Sequence, residues 1–491
     1  MSESSSATPQ IRPENHEKQN SIKGIETEGK RSAEVNLDDD EDPQNMSLFH
    51  KWVIVIVISS SSLCVTCASS VVRVMPFAHI PLHDSTRWAQ AAFAEDGMAE
   101  EFHVSKIVTI LSISLFVEGL GFGPLLVGPL SEVYGRNIIY RVSFVLLFAF
   151  SFAVAFAPNI TIFLIFRFIT GFCGSTFLSV AGGSVSDLFT NNEVATPMAF
   201  YTLSPFIGPV VGPLISGFIN QNANWRWTFR VCLVWTLVQT AALFLLVPET
   251  YVPVLRKWKA AKLRKQEGNV EYWSPLDRQQ GKLFQAILVS CYKPFQLILY
   301  ERMALLLNLW TSVILGILYL AFQAFPIIFQ GKHGFNVQET GLSFLGIGIG
   351  MAGAMPTQVW WNKLVAKEAS KNYGQAPPEA HLLKGELGGI LVPLGLYWLA
   401  FTTYAHVHWI VPIIASVPFG AGAYLVYGSV FTYLVTAYRP IAASAMASNS
   451  AMRSTFAAVF PLFAKQMYDA LGTVGATALL AGVMTVLAPL P

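Results

Sequence analysis

The stretch that decides the fold is residues 107–140, which read IVTILSISLFVEGLGFGPLLVGPLSEVYGRNIIY. It begins as an apolar segment long enough to cross a bilayer as a helix, with a single carboxylate, Glu118, near its middle. It ends in a glycine-rich polar turn, and a second apolar segment follows at once. We therefore expect two consecutive membrane spans joined by a tight turn that contains Gly128, Glu132, Gly135 and Arg136.

The whole chain has the composition of a helical membrane protein. It has 491 residues, of which 53% are hydrophobic and only 13% are charged, whereas about a quarter of the residues of a soluble chain are charged. No Gly-x-x-x-x-Gly-Lys-Ser/Thr loop, catalytic triad or Cys/His cluster is present. We therefore predict an all-α polytopic membrane protein that is not an enzyme, has no metal or cofactor and binds no nucleic acid.

Apolar blocks of about 20 residues predict twelve spans. Lys and Arg crowd the N-terminal tail, the 128–141 turn, the central stretch and the 363–371 loop, while the 158–161 and 405–408 turns have none. By the positive-inside rule both termini are cytoplasmic. The predicted spans are 52–72, 108–127, 138–157, 162–180, 196–218, 227–247, 303–325, 340–360, 388–404, 409–433, 442–465 and 473–490.

Four regions follow from this pattern. Residues 1–48 are polar and include an acidic run at 38–42, so we expect a disordered cytoplasmic tail. Residues 49–248 form a first six-helix bundle, 249–302 a basic cytoplasmic loop, and 303–491 a second six-helix bundle. The chain stops at Pro491 shortly after the last apolar block. Two sets of six spans are typical of a transporter built from two equivalent halves.

Two charged residues lie inside the first set of spans, where a charge costs about 2.5–3.5 kcal/mol on insertion scales. They are Glu118 and Arg167. We hypothesise that they pair, because burial raises the pKa of a carboxylate and a nearby arginine lowers it, which together would suit the carboxylate to proton exchange. The alternative is a purely structural ion pair.

The fifth predicted span contains a Gly-Pro motif, in which glycines allow close backbone approach and prolines bend the helix. Its residues are Gly208, Pro209, Gly212, Pro213 and Gly217.

Taken together, these motifs resemble the major facilitator superfamily, and in particular the fungal twelve-spanner drug:proton antiporters that include polyamine and multidrug exporters. The turn at 128–136 is similar to that family's Gly-x-Leu-Ala-Asp-Arg-x-Gly-Arg gate, with Glu132 in place of Asp and Val133 in place of a basic residue. Arg167-x-x-x-Gly171 is similar to the motif whose arginine is implicated in proton coupling. The resemblance covers residues 49–72 and 98–491.

Residues 73–97 fall outside the resemblance and look inserted. Three explanations compete: an extracellular loop, a lid, or translated intron sequence, of which we favour the last.

In the second half, polar and aromatic side chains are candidates for the substrate cavity, although aromatic residues at helical spacing more often serve only to pack helices together. These candidates are Trp310, Tyr319, Gln323, Phe325, Asn449 and Arg453; Gln323 replaces a glutamate that is common in the group, which weakens the case for polyamines.

The resemblance implies secondary active export of small hydrophobic or cationic molecules in exchange for protons, by a monomer in the plasma membrane. The alternative in the same superfamily is a nutrient or metabolite importer, which the Gly-Pro motif of the fifth span disfavours. A membrane-embedded enzyme or sensor lacks support in the sequence. A fourth alternative is that the inserted residues 73–97 and the short C-terminal end make the chain inactive as written.

Overall fold

The described part of the chain contains twelve helical segments that are interpreted as membrane spans. The computed structural model describes residues 24–27, 30–71, 94–190, 193–266, 270–277, 283–372, 377–438 and 441–489. Among these residues, eleven helices are long and apolar enough to cross a membrane. The last of them, Ala442–Leu487, breaks at Gly472 (φ 70°, ψ 172°) and therefore contains two spans. The predicted all-α fold is confirmed.

We number the spans 1 to 12 in chain order. Spans 1 to 6 are Leu48–Ser70, Lys106–Tyr134, Arg136–Ala155, Ile160–Leu188, Thr196–Asn222 and Arg226–Leu246. Spans 7 to 10 are Arg302–His333, Val337–Lys371, Pro378–Phe401 and Ile410–Ala437. Spans 11 and 12 are the parts of Ala442–Leu487 before and after Gly472. Three further α-helices of the described residues lie outside the spans, namely Ala94–Phe102, Val252–Gln266 and Leu283–Tyr300, and two short 3-10 helices, Asp39–Glu41 and Pro43–Asn45, precede span 1.

Span 2 is longer than its apolar composition predicts. It runs to Tyr134 through Pro124 and Pro129, so that the expected polar turn is reduced to Gly135 with φ 101°. Such a backbone conformation favours glycine. The next helix starts directly after it, because the carboxylate of Glu249 accepts hydrogen bonds from the backbone N–H groups of Arg136 and Asn137 at 2.9 and 3.1 Å. A carboxylate at a helix N-terminus satisfies unpaired donors and the helix dipole.

Span 7 is the most enclosed element of the second half. From Trp310 to Phe325 every side chain is buried, which agrees with a helix that is apolar on all sides. A separate cluster of buried residues fills the first half, around Phe116, Tyr140 and Phe177. The largest cluster, by contrast, joins buried residues of both halves, such as Phe206 and Val210 of span 5 with Tyr319 and Tyr427 of the second half.

The N-terminal tail is attached to the central loop. Strand β2 (Lys30–Glu34) pairs antiparallel with β1 (Gly24–Thr27) and parallel with β3 (Val270–Trp273). Lys259 forms ion pairs of 2.8 Å with Asp38 and with Glu41. In the described part of the tail, the acidic run therefore meets a lysine of the central loop, while disorder of residues 1–48 as a whole stays a prediction. Residues 72–93, most of the proposed insertion, lie outside the described residues.

We predict that Lys259→Met loosens this part of the tail. Exposed ion pairs contribute about 0.2–1 kcal/mol each, so hydrogen exchange at the backbone amides of Glu41, Asn45 and Met46 should rise by about 2- to 10-fold. Lys262→Met is the matched control, since Lys262 is exposed on the same helix and has no ion pair among the described residues. Equal exchange in both variants would contradict the prediction.

Candidate transport pathway

A cavity of about 780 Å³ lies between the two halves. Spans 2, 4 and 5 and the first residue of span 3, Arg136, line it from the first half, and spans 8 to 11 line it from the second. The lining residues reach the ends of these spans that lie on one side of the molecule, from Glu132 and Ser186 to Thr436 and Ala442. The cavity therefore opens on the side that carries the Gly135 turn.

The opposite end of the seam between the halves is closed. The hydroxyls of Ser69 (span 1) and Tyr319 (span 7) are 2.7 Å apart and share a hydrogen bond. On the other flank, the Ser114 hydroxyl of span 2 donates to the carbonyl of Ala458 in span 11 at 2.6 Å. These contacts join the halves without any ion pair between described residues. The pathway is thus accessible from one side only.

The Gly-Pro motif of span 5 provides the close contacts at this closed end. A Cβ on Gly208 would overlap the Thr66 hydroxyl, and one on Gly212 would overlap the Ser70 hydroxyl, so both glycines press directly on span 1. Gly217 faces the carbonyl of Val337 at the start of span 8. Pro209 and Pro213 lie inside the helix and remove two backbone donors. The motif therefore packs span 5 against one span of each half.

The 128–136 motif lines the open end. Arg136 pairs with Asp187 at the end of span 4, with 3.1 Å between Nε and Oδ2, and also donates to the Ser131 hydroxyl at 3.2 Å. Gly128 and Glu132 line the cavity, and the Glu132 side chain is exposed. Among the described residues Glu132 has no ion pair. Its carboxylate is therefore available for contacts that depend on conformation.

Arg167 is 2% exposed and lies in the interior of the first half. Its Nε donates to the carbonyl of Ser112 at 3.1 Å, and both terminal nitrogens donate to the carbonyl of Ala68 at 3.1 and 3.2 Å. The ring of Phe116 lies 4.3 Å from its Cζ. Backbone oxygens and an aromatic face solvate the guanidinium in place of a carboxylate, so Arg167 joins spans 1, 2 and 4.

The hypothesised Glu118–Arg167 pair does not form. Glu118 instead accepts a hydrogen bond from the Thr455 hydroxyl of span 11 at 3.0 Å, and its Oε2 is buried with no partner among the described residues. The reason is helical geometry. Ser112 and Phe116, which contact Arg167, are four residues apart and share one face of span 2. Glu118 is two residues after Phe116, so its side chain is rotated about 200° around the helix axis from that face. Glu118 therefore lies on the seam between the halves.

Two of the predicted cavity residues line the cavity, namely Asn449 and Arg453. The Asn449 amide donates to Asn308 Oδ1 at 2.9 Å and to the Thr311 hydroxyl at 2.8 Å. The guanidinium of Arg453 lies against aromatic rings at 5.7, 5.8 and 5.2 Å, from Phe206, Tyr427 and Phe431 respectively. Both residues belong to span 11.

The four candidates from span 7 do not line this cavity. Trp310 is fully buried against Gly385 and Gly389 of span 9, and Tyr319 belongs to the closed end. Gln323 is buried with its Nε2 unpartnered among the described residues. Phe325 packs on other rings, Phe329 and Phe344. Span 7 is too enclosed for its side chains to reach the open space in this conformation.

Several residues of the pathway were missed by the sequence analysis. Lys384 lines the cavity, but the predicted ninth span began after it, at residue 388. Asp187 likewise lay outside the predicted fourth span, which ended at 180. Phe206 had no signal beyond its place beside the Gly-Pro motif. For Lys384 and Asp187, the signal in the sequence was an ionisable residue just beyond the end of an apolar block.

Comparison with known proteins gives consistent matches. The sequence profile of the Major Facilitator Superfamily matches residues 82–461. Efflux pump atB of Aspergillus terreus is 47% identical over 378 residues, which are 76% of this chain and 79% of that protein. The probable drug/proton antiporter YHK8 of Saccharomyces cerevisiae is 38% identical over 471 residues, 94% of this chain and 88% of that protein.

Among solved structures, the fold is similar to the xylose transporter XylE from E. coli in a partially occluded inward open conformation. The TM-score is 0.56 with 16% sequence identity, and the match covers 89% of this chain and 97% of that one. At this identity the comparison concerns the fold alone.

We predict that Gly212→Ala destabilises the closed end. The added methyl overlaps the Ser70 hydroxyl and approaches the Cys67 carbonyl, and overpacking of this kind costs about 1–3 kcal/mol. The apparent unfolding midpoint of the purified protein in detergent should fall. Gly353→Ala is the matched control, because a Cβ at Gly353 meets nothing within 4 Å. The same midpoint for both variants would contradict the prediction.

Proposed function

This chain belongs to the major facilitator superfamily, and we propose that it exports small hydrophobic molecules in exchange for protons. The observation that carries the proposal is the one-sided cavity of about 780 Å³ between two six-span halves. A cavity of this size fits a drug-sized molecule. Relatives that align with most of this chain are named as an efflux pump and as a probable drug/proton antiporter. The protein is accordingly a transporter and not an enzyme.

Alternating access would occur by rocking of the halves about the seam. The closed end is held by single hydroxyl hydrogen bonds and by glycine contacts, such as Ser69–Tyr319 and Gly217–Val337, which can separate without breaking an ion pair. At the open end, Glu132 and the first residues of span 11, Ala442 to Ser444, line the same opening. Since a helix N-terminus carries partial positive charge, Glu132 is suited to hold this end shut in the opposite state.

The distribution of basic residues supports the orientation. Lys and Arg are dense in the central stretch and near Gly135, and absent from the 158–161 and 405–408 turns. By the positive-inside rule the open end of the cavity then faces the cytoplasm, together with both termini. We place the protein in the plasma membrane as a monomer, and cargo enters the cavity from the cytoplasm.

We assign proton binding to Glu118. Its one hydrogen-bond donor among the described residues, Thr455, belongs to the other half of the molecule, so movement of the halves changes the surroundings of the carboxylate. A group whose surroundings differ between two states binds protons differently in each, and proton binding then shifts the balance between them. Arg167 has a different role in this proposal: it keeps spans 1, 2 and 4 together as one rigid unit.

The test is transport by the purified full chain in liposomes with an acidic interior. A proton antiporter accumulates cargo inside such liposomes, whereas a proton-coupled importer of the same superfamily expels it. We expect uptake of members of a panel of labelled hydrophobic molecules, abolished by a protonophore. If no member of a chemically broad panel responds to the pH difference, or if preloaded cargo is expelled, the proposal is wrong.

We further predict that Glu118→Gln abolishes cargo uptake driven by the pH difference, while cargo exchange at equal pH continues, because the glutamine side chain cannot take up the proton. Glu386→Gln is the control, since Glu386 is an exposed carboxylate in span 9 away from the cavity. Undiminished pH-driven uptake by the Glu118→Gln protein would show that another group carries the proton.

A further inference from the structure

We propose that the cavity selects organic anions, and that Arg453 binds the carboxylate of an aromatic acid with Lys384 as a second positive charge. The inference rests on the proposed export function and names its class of cargo. It departs from the hydrophobic or cationic cargo expected from the sequence, and the charges of the cavity are the reason.

The balance of charge inside the cavity is positive. Among the described residues that line it, the cations are Arg136, Lys384 and Arg453, and the only carboxylate is Glu132. At the open end of the cavity, the charge of Arg136 is neutralised by Asp187, and Glu132 lies at the same end. The deeper part of the described lining therefore carries two cations and no carboxylate.

Arg453 lacks a polar partner within the described structure. It is 8% exposed, its Nε is buried with no hydrogen-bond partner, and no ion pair with it occurs among the described residues. Its surroundings are the faces of three rings, from Phe206, Tyr427 and Phe431. Rings attract a cation but accept none of the five N–H groups of a guanidinium well. An anion from outside would satisfy them.

Lys384 is similarly poor in partners. It is 8% exposed, and its one hydrogen bond within the described structure, to the side-chain oxygen of Gln358, is 3.4 Å long. Its Nζ lies next to Gly428, the neighbour in sequence of Tyr427, whose ring faces Arg453. Both cations therefore line the same cavity and both lie against span 10.

The lining indicates a monoanion with an aromatic or otherwise apolar body. A guanidinium binds a carboxylate through two parallel hydrogen bonds. The remaining walls are largely apolar, with Leu125, Leu178 and Met198 on the side of the first half. Phe206 and Tyr427 are stacked at 4.1 Å beside the guanidinium, where a further flat ring could pack. A polyamine would instead bring several positive charges towards two buried cations.

The experiment uses three probes that share a naphthalene ring: 2-naphthoate, 2-naphthalenemethanol and a (2-naphthylmethyl)trimethylammonium salt. Binding to the purified full chain is measured by equilibrium dialysis. We expect 2-naphthoate to bind at least tenfold more tightly than the neutral or the cationic probe, since hydrogen bonds to charged groups are worth about 10- to 100-fold in affinity. If the alcohol or the ammonium probe binds as tightly as 2-naphthoate, the inference is overturned.

Two variants assign the preference to Arg453. Arg453→Gln should lose the preference for 2-naphthoate. Arg453→Lys keeps the positive charge but not the two parallel N–H groups of the guanidinium, so it should retain a reduced preference. This second variant replaces the first in the test if the glutamine variant does not fold. Arg230→Gln is the matched control, because Arg230 also lies against two rings, Phe156 and Trp227, but outside the cavity. A folded Arg453→Gln protein with an undiminished preference would overturn the assignment.

Transport of the same probes separates this inference from the proposed function. If 2-naphthoate binds preferentially but a pH difference moves none of the probes beyond the rate in protein-free liposomes, anion selectivity holds and the export proposal fails. If the pH difference drives the ammonium probe and not 2-naphthoate, export holds and the inference fails.

Discussion

Direct contact between the backbones of spans 1, 5 and 8 is the constraint on which the structure depends. Gly208 and Gly212 leave no room for side chains between spans 5 and 1 of the first half, and Gly217 brings span 5 against the start of span 8 in the second half. The cavity of about 780 Å³ lies between the halves on the side of the Gly135 turn. In lipid the hydrophobic effect does not favour the association of helices, so close van der Waals packing of this kind is the main interaction that holds the spans together. It is also easily separated, because the described residues form no ion pair between the halves that must be broken.

A charge in hydrocarbon is unfavourable unless polar or aromatic groups surround it, and three buried ionisable residues have three different kinds of surroundings. Arg167 is solvated by the carbonyls of Ser112 and Ala68, so it stabilises one half of the molecule in a single arrangement. Glu118 takes its hydrogen bond from Thr455 in the other half, so its environment changes whenever the halves move. Within the described part of the chain Arg453 lies against ring faces and has no hydrogen-bond partner for its Nε, and in our proposal a ligand satisfies its N–H groups. Position relative to the seam explains the difference in role.

Much of this could be predicted from local sequence. The apolar blocks, the Gly135 turn and the Gly-Pro pattern of span 5 all depend on residues close in the chain, and they indicated the fold, the spans and the motifs. The ends of the spans were less predictable. Span 2 continues to Tyr134 and span 4 to Leu188, because a helix does not end where its apolar residues end. Polar residues such as Asp187 and Lys384 were therefore placed outside the spans.

The sequence by itself determined that this is a polytopic helical protein with two sets of six spans, since hydrocarbon requires long apolar helices whose backbone bonds are satisfied internally. It also revealed Glu118 and Arg167, because the cost of a charge in the middle of an apolar block makes such residues conspicuous. Only the tertiary structure decided which of them meet. Whether Glu118 faces Arg167 or Thr455 depends on the rotation of span 2 about its axis, and whether Trp310 or Phe206 reaches the cavity depends on which helices surround it. Both are set by packing between residues far apart in the chain.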